Sequence, residues 1–140
     1  MLDIQEMIVK DSKVNMSEIA EESIRVISLH AKYLGLWQEE KTKLLQLEEI
    51  YKKLKCKKVE YYLGKANDEV YEKEPFHLKL QRQDLDFYLD ADNDLCNVKR
   101  NLVNSQNKIE LIKSFIDHNL NQRSHHCRNA LAFLNWSEGK

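Results

Sequence analysis

At 140 residues the chain has room for one domain with a modest hydrophobic core. Its composition, 42% hydrophobic and 32% charged with 3 Gly and 1 Pro, favours long helices and argues against a loop-rich or all-β design. A net charge of −1 does not suit wholesale coating of DNA, and no apolar run approaches the ~18 residues of a membrane span.

Residues 1–14 scatter Leu2, Ile4, Met7, Ile8 and Val14, enough for a short first helix. Asn15 followed by Glu18 fits a capping box, in which each side chain closes the first turn for the other. From there Ala20, Ile24, Ile27, Ala31 and Leu34 form a helical stripe flanked by Val26, Tyr33 and Trp37. Gly35 is the expected stop, because glycine tolerates the left-handed conformation of a helix end. A second helix over 38–63, roughly 39 Å long at about 1.5 Å per residue, carries Leu44, Leu47, Ile50, Tyr51 and Leu54. So short a connection predicts an antiparallel helical hairpin; one continuous bent helix is the alternative.

The second helix ends in KKLKCKKVEYYLGK, residues 52–65. Lys52, Lys53, Lys55, Lys57 and Lys58 fall within seven residues, followed by Tyr61, Tyr62, Gly64 and Lys65. One turn past Leu54 the apolar stripe is replaced by Lys57 and Lys58. Two readings fit. Lysines suit the negative partial charge at a helix C-terminus and mark a solvated end. Alternatively, cations that follow phosphates beside rings that stack on unpaired bases suit single-stranded nucleic acid. Charge is segregated accordingly: residues 1–49 carry −4, 50–65 carry +5, 66–92 carry −5 and 93–140 carry +3. One compact positive block fits a local anionic contact.

Residues 66–75 read as an acidic loop. Phe76, Leu78 and Leu80, then Leu85, Phe87 and Leu89, alternate on either side of Arg82-Gln83-Asp84. That period predicts a small β-hairpin near 76–89, with a short helix as the alternative. Asp90, Asp92 and Asp94 resemble the opening of a calcium loop, but Leu95 stands where Gly is needed and Asn101 where Glu is needed. Carboxylates at a helix start account for them.

Leu95, Val98, Leu102, Ser105, Ile109, Ile112, Ile116 and Asn119 then make a heptad seam with two polar intrusions. Leu111, Phe115 and Leu120 widen it, which points to self-association through helices; packing on the chain's own hairpin is the alternative. A short terminal helix over 124–134 offers Ala130, Leu131, Phe133 and Leu134. The whole reads as one mainly α domain, with a helical region to residue 65, an acidic connection over 66–90 and oligomerisation helices over 91–140.

Nothing asks for an enzyme or a cofactor. Gly35, Gly64 and Gly139 stand alone, so no glycine loop cradles phosphate. His118, His125, His126 and Cys127 lack metal-ligand spacing, since adjacent helical residues point about 100° apart. Cys56, Cys96 and Cys127 are an odd, unpaired set, as expected of free thiols in a reducing cytosol.

The segments AKYL (31–34), KKVEYYLGK (57–65), LDADNDLCNV (89–98) and the ending NALAFLNWSEGK resemble the UvsY family, recombination mediators of T-even-like bacteriophages. Their order and spacing hold from about residue 17 onward, with 66–84 altered. The resemblance implies a non-enzymatic mediator acting in recombination, repair and recombination-dependent replication in the cytoplasm of the infected host. Its implied partners are single-stranded DNA, a UvsX-like phage recombinase, the phage single-strand-binding protein and itself. The implied assembly is a ring-like homo-oligomer, a hexamer or heptamer, held by the C-terminal region. The family's DNA-contact motif LKARLDYY is matched by KCKKVEYY, residues 55–62. Its arginine falls on Lys58, its acid on Glu60 and its tyrosines on Tyr61 and Tyr62, whereas its lysine falls on Cys56. Lys57 or Lys55 would have to supply that charge, and lysine lacks arginine's planar fork. The rival reading from the residues is a helical oligomeric scaffold or adaptor without a nucleic-acid role.

Overall fold

The computed structural model describes residues 3–139, apart from the side chains of residues 16 and 124; Leu2 of the expected first helix lies outside it. Its helices are α1 (Ile4–Asp11), α2 (Ile19–Tyr62), α3 (Asp68–Lys73), α4 (Arg82–Ala91), α5 (Asn93–Phe115) and α6 (Asn121–Ser137). A 3₁₀ turn at Met16–Glu18 leads into α2, and a π turn at Ile116–Leu120 joins α5 to α6. The mainly α class read from the composition is observed, with no strand among the described residues. Packing gathers the chain into two compact units, Met1–Lys41 with Gln106–Lys140, and Thr42–Ser105.

The expected helical hairpin does not form, because α2 runs through Gly35 without a break. Gly35 does not take positive φ, whereas Gly64 does at +78°. Glycine permits a left-handed stop without imposing one. Here continuation keeps Tyr33, Leu36 and Trp37 against one core, which outweighs the roughly 1 kcal/mol that glycine costs inside a helix. Gly64 does end α2 as expected. Its amide donates to the Tyr61 carbonyl at 3.2 Å and the Lys65 amide donates to the Glu60 carbonyl at 2.8 Å, the paired bonds of a Schellman cap.

At the start of α2, Asn15 Oδ1 accepts from the Ser17 amide at 3.1 Å. The reciprocal carboxylate is Glu22 rather than Glu18: it accepts from the Asn15 amide at 3.3 Å, since the intervening turn is 3₁₀. The stripe of Ile24 and Ile27 faces outward, 70% and 72% exposed. The first unit instead buries Leu29, Tyr33, Ile112, Phe115, Ile116 and Leu120, with Ile4, Ile8, Leu36 and Trp37 packed around them.

Beside this core lies a polar network. Asp11 accepts from Tyr33 Oη at 2.7 Å, Lys32 Nζ at 2.9 Å and Arg25 Nη2 at 3.2 Å. Arg123, 2% exposed, donates from Nη2 to the Asp11 carbonyl and to Asn119 Oδ1, each at 2.8 Å. That bond accounts for the polar intrusion at Asn119. The other intrusion, Ser105, is buried with no hydrogen-bond partner among the described residues, and the structure offers no reason for it. After Ile116 the π turn widens the helix, so two successive four-residue steps bring Leu120 into the core. The last helix then starts at Asn121 and reaches Ser137, longer than the expected 124–134.

In the second unit the expected β-hairpin is replaced by α4. Leu85, Tyr88 and Leu89 turn inward at helical spacing while Phe87 stays 74% exposed, so the apparent alternation was one helical face plus one outlying ring. The expected acidic loop over 66–75 instead contains α3, and Pro75 lies just past it, with Glu74 before the proline outside the helical region at φ −132° and ψ 84°.

Candidate nucleic-acid interface

The basic end of α2 belongs to the second unit. Lys52, Lys53, Lys55, Lys57 and Lys65 are exposed, as are Cys56 and Glu60. Lys58 is not: its side chain is 14% exposed and its Nζ lies 2.8 Å from Asp94 Oδ2 and 3.2 Å from Asp92 Oδ2. Burial opposes the Lys58 charge, but hydrogen bonds to the two carboxylates outweigh it and hold its pKa above the ordinary lysine value.

Asp92 is where α2 and α5 meet within this unit. Immediately before α5, its Oδ1 accepts from the Leu95 amide at 3.0 Å, which caps the helix. Its Oδ2 accepts from Tyr62 Oη at 2.6 Å. Burial would raise its pKa, but Tyr62, the Leu95 amide and Lys58 together depress it. Asp92 therefore does what the aspartate run was expected to do, starting a helix.

Tyr61 and Tyr62 sit half-buried in an aromatic group with Tyr71, Phe76 and Tyr88. Tyr61 stacks on Tyr71 with centroids 5.4 Å apart and planes 16° apart. Tyr61 and Tyr62 themselves meet edge to face, 71° between planes. Both hydroxyls are engaged, Tyr61 donating to the Glu74 carbonyl at 2.9 Å and Tyr62 to Asp92. Tyr71 donates to the Tyr61 carbonyl at 2.7 Å and accepts from the Ala66 amide at 3.3 Å, which pins the chain as it leaves α2.

Between these elements lies a cavity of about 440 Å³. Lys57, Lys58 and Lys65 line it with Glu60, Glu74 and Asp94, over an apolar floor that includes Tyr61 and Val70. The structure thus places five of the expected lysines in the open, sequesters Lys58, and packs the two tyrosines edge to face rather than as a flat paired platform. Sequence reasoning missed Tyr71, Phe76, Tyr88 and Asp92 as the groups that hold this end of α2. Their residue types were visible, but nothing local joined them to Tyr61 and Tyr62.

The expected seam residues divide. Leu95, Ile112, Ile116 and Leu120 are buried within the chain, and Val98, Leu102 and Ile109 are half-buried. Leu131, Phe133 and Leu134 are 48%, 64% and 38% exposed, and Trp136, which the periodicity did not single out, is 76% exposed. No described helix is long and apolar enough to cross a membrane.

Residues 7–140 match the family described as "Recombination, repair and ssDNA binding protein UvsY". The chain belongs to the UvsY family. The crystal structure of the bacteriophage T4 recombination mediator protein UvsY is similar to it, with a TM-score of 0.84 at 18% identity. That likeness covers 97% of this chain and 99% of the T4 chain, so the fold described above is shared over almost its whole length. No curated protein matches the chain.

Proposed function

We propose that this chain is a recombination mediator that grips single-stranded DNA along the basic end of α2. It acts as a ring-like homo-oligomer in the host cytoplasm and promotes loading of the phage recombinase onto strands covered by single-strand-binding protein. Membership of a family of recombination, repair and ssDNA-binding proteins supports this reading. The observation that carries it is the cluster of exposed lysines, Lys52, Lys53, Lys55, Lys57 and Lys65, beside a firmly packed aromatic support. The exposed lysines take the phosphates, and Tyr61 and Tyr62 hold the rim in place and offer their remaining edges to bases. The exposed apolar residues of α6 join the copies, so a strand meeting several rims gains avidity from patches that are weak singly.

Replacing Lys55 and Lys57 together by alanine should weaken binding whatever the strand's sequence. It should also flatten the dependence of log affinity on log salt by about 0.7 for each phosphate that is no longer neutralised. A salt titration of this variant that superimposes on the parent would remove the DNA assignment. For loading itself, recombinase assembly on covered strands should show a shorter lag when the protein is added.

A further inference from the structure

Lys58 lies inside the basic block, yet it faces inward onto carboxylates. The two carboxylates differ in kind. Asp92 is 7% exposed and committed to the Leu95 amide and Tyr62 as well as to Lys58. Asp94 has a side chain 61% exposed, in the first turn of α5, and its carboxylate rests on Lys58 Nζ at 2.8 Å. Asp94 makes the shorter contact, but its carboxylate faces solvent and has no second partner among the described residues comparable to Tyr62 or the Leu95 amide, so it is the half that salt can screen and an incoming anion can replace. Lys58 and Asp94 also line the same 440 Å³ cavity, and Lys57 and Lys65 open onto it. A tetrahedral anion entering there meets three ammonium groups, with Lys58 already paired with Asp92 and Asp94 and with Glu60 and Glu74 on the same wall.

We infer that Asp94 is a built-in counter-anion that closes an inner phosphate site at Lys58, and that a bound strand seats one phosphate there by displacing it. The strand's other phosphates lie on the exposed lysines and need no exchange. Asp92 stays in place throughout and keeps Lys58 aimed at the cavity, since its bonds to Tyr62 and to the start of α5 do not depend on Asp94. The consequence is selective: a strand pressed fully onto the rim has one more phosphate neutralised than an anion that merely touches it. This inference rests on the proposed strand-binding role and adds a gate to it.

The test is single-stranded oligonucleotide binding to the full chain across a salt series. Asp94→Asn should tighten binding about threefold to fivefold at low salt, because the strand no longer has to displace the carboxylate from Lys58. Glu60→Gln removes a charge from the same cavity wall and is the control for net charge. In a Lys58→Ala background the Asp94→Asn gain should vanish, which isolates the pair. Equal gains from Glu60→Gln and Asp94→Asn, or a gain that survives Lys58→Ala, would overturn the gate. So would Asp94→Asn binding no tighter than the parent while Lys55→Ala with Lys57→Ala still flattens the slope. If that lysine pair leaves the slope untouched, the strand-binding role itself is what falls.

Discussion

Asp11 and Asp92 occupy equivalent chemical situations in the two units. Each is a buried carboxylate that accepts a tyrosine hydroxyl, from Tyr33 or Tyr62, and faces one or more cations. For both, burial alone would raise the pKa, and the hydrogen bonds and nearby positive charge more than reverse it, leaving it below the ordinary 3.8. A depressed native pKa means the unfolded chain binds the proton more readily. The stabilisation is therefore complete above the ordinary value and is lost as pH falls through the lower native one. The tyrosines behave oppositely. Burial first, then the bond to each aspartate, raises Tyr33 and Tyr62 above 10.0, so their contribution is complete below that value and lost as pH rises past it. Denaturant unfolding should accordingly give a stability plateau from about pH 4 to about pH 10 that falls at both ends. Asp92→Asn should lower the plateau by about 1–3 kcal/mol and shrink its acid-side drop. An acid limb unchanged in this variant would show that Asp92 does not titrate as the geometry requires. At this scale the sequence was partly legible. Aspartates at a helix start announced a cap, but the partnership of Asp92 with Tyr62 and Lys58 spans some thirty residues and leaves no local mark.

Two glycines, one inside α2 and one just past its end, show how far an element can be read from its residues. Gly64 follows the last turn of α2 at positive φ and completes a cap, whereas Gly35 lies in the interior of that helix. Both look alike as stop signals, and tertiary packing decides between them. A β-carbon built at Gly35 would meet nothing within 4 Å. Gly35→Ala should therefore stabilise the protein by about 0.5–1 kcal/mol, through helix propensity and a less flexible unfolded chain. Chemical denaturation reads this directly. A clear loss of stability would mean that the chain does turn at Gly35, the geometry of the hairpin that the spacing first suggested. The same lesson holds for α4 and for the stripe of Ile24 and Ile27. Periodicity shows which residues share a face, but not which face is covered. Phe87 gave α4 a false alternation because one exposed ring fell between half-buried Leu85 and buried Leu89.

For the whole molecule, the decisive separation is between apolar surface the chain covers itself and apolar surface it leaves open. The heptad pattern of α5 was legible as a seam, yet Ile112 and Ile116 spend it on Leu29 and Tyr33 within the first unit. What remains open at the end of the chain is Leu131, Phe133, Leu134 and Trp136, with the rings of Phe133 and Trp136 6.1 Å apart. In the proposed assembly this open apolar surface is where copies meet. Under the proposed self-association, Phe133→Ser with Trp136→Ser should leave the melting of the chain's own core within about 0.5 kcal/mol of the parent, because both side chains are exposed. It should nevertheless reduce the mass in solution toward a single chain. Ile112→Ala is the opposite case: its side chain is fully buried, so it should cost about 2–5 kcal/mol of folding stability. Strand binding then reports on the link between assembly and function. A lone chain offers only its own exposed lysines, so dispersal should cut affinity on a long oligonucleotide by about 10²-fold or more while barely changing it on one that spans a single rim. Sedimentation alongside binding on short and long strands distinguishes the cases. A variant that keeps the parent's mass would locate self-association elsewhere, and one that falls to a monomer yet holds long strands as tightly would separate strand binding from assembly.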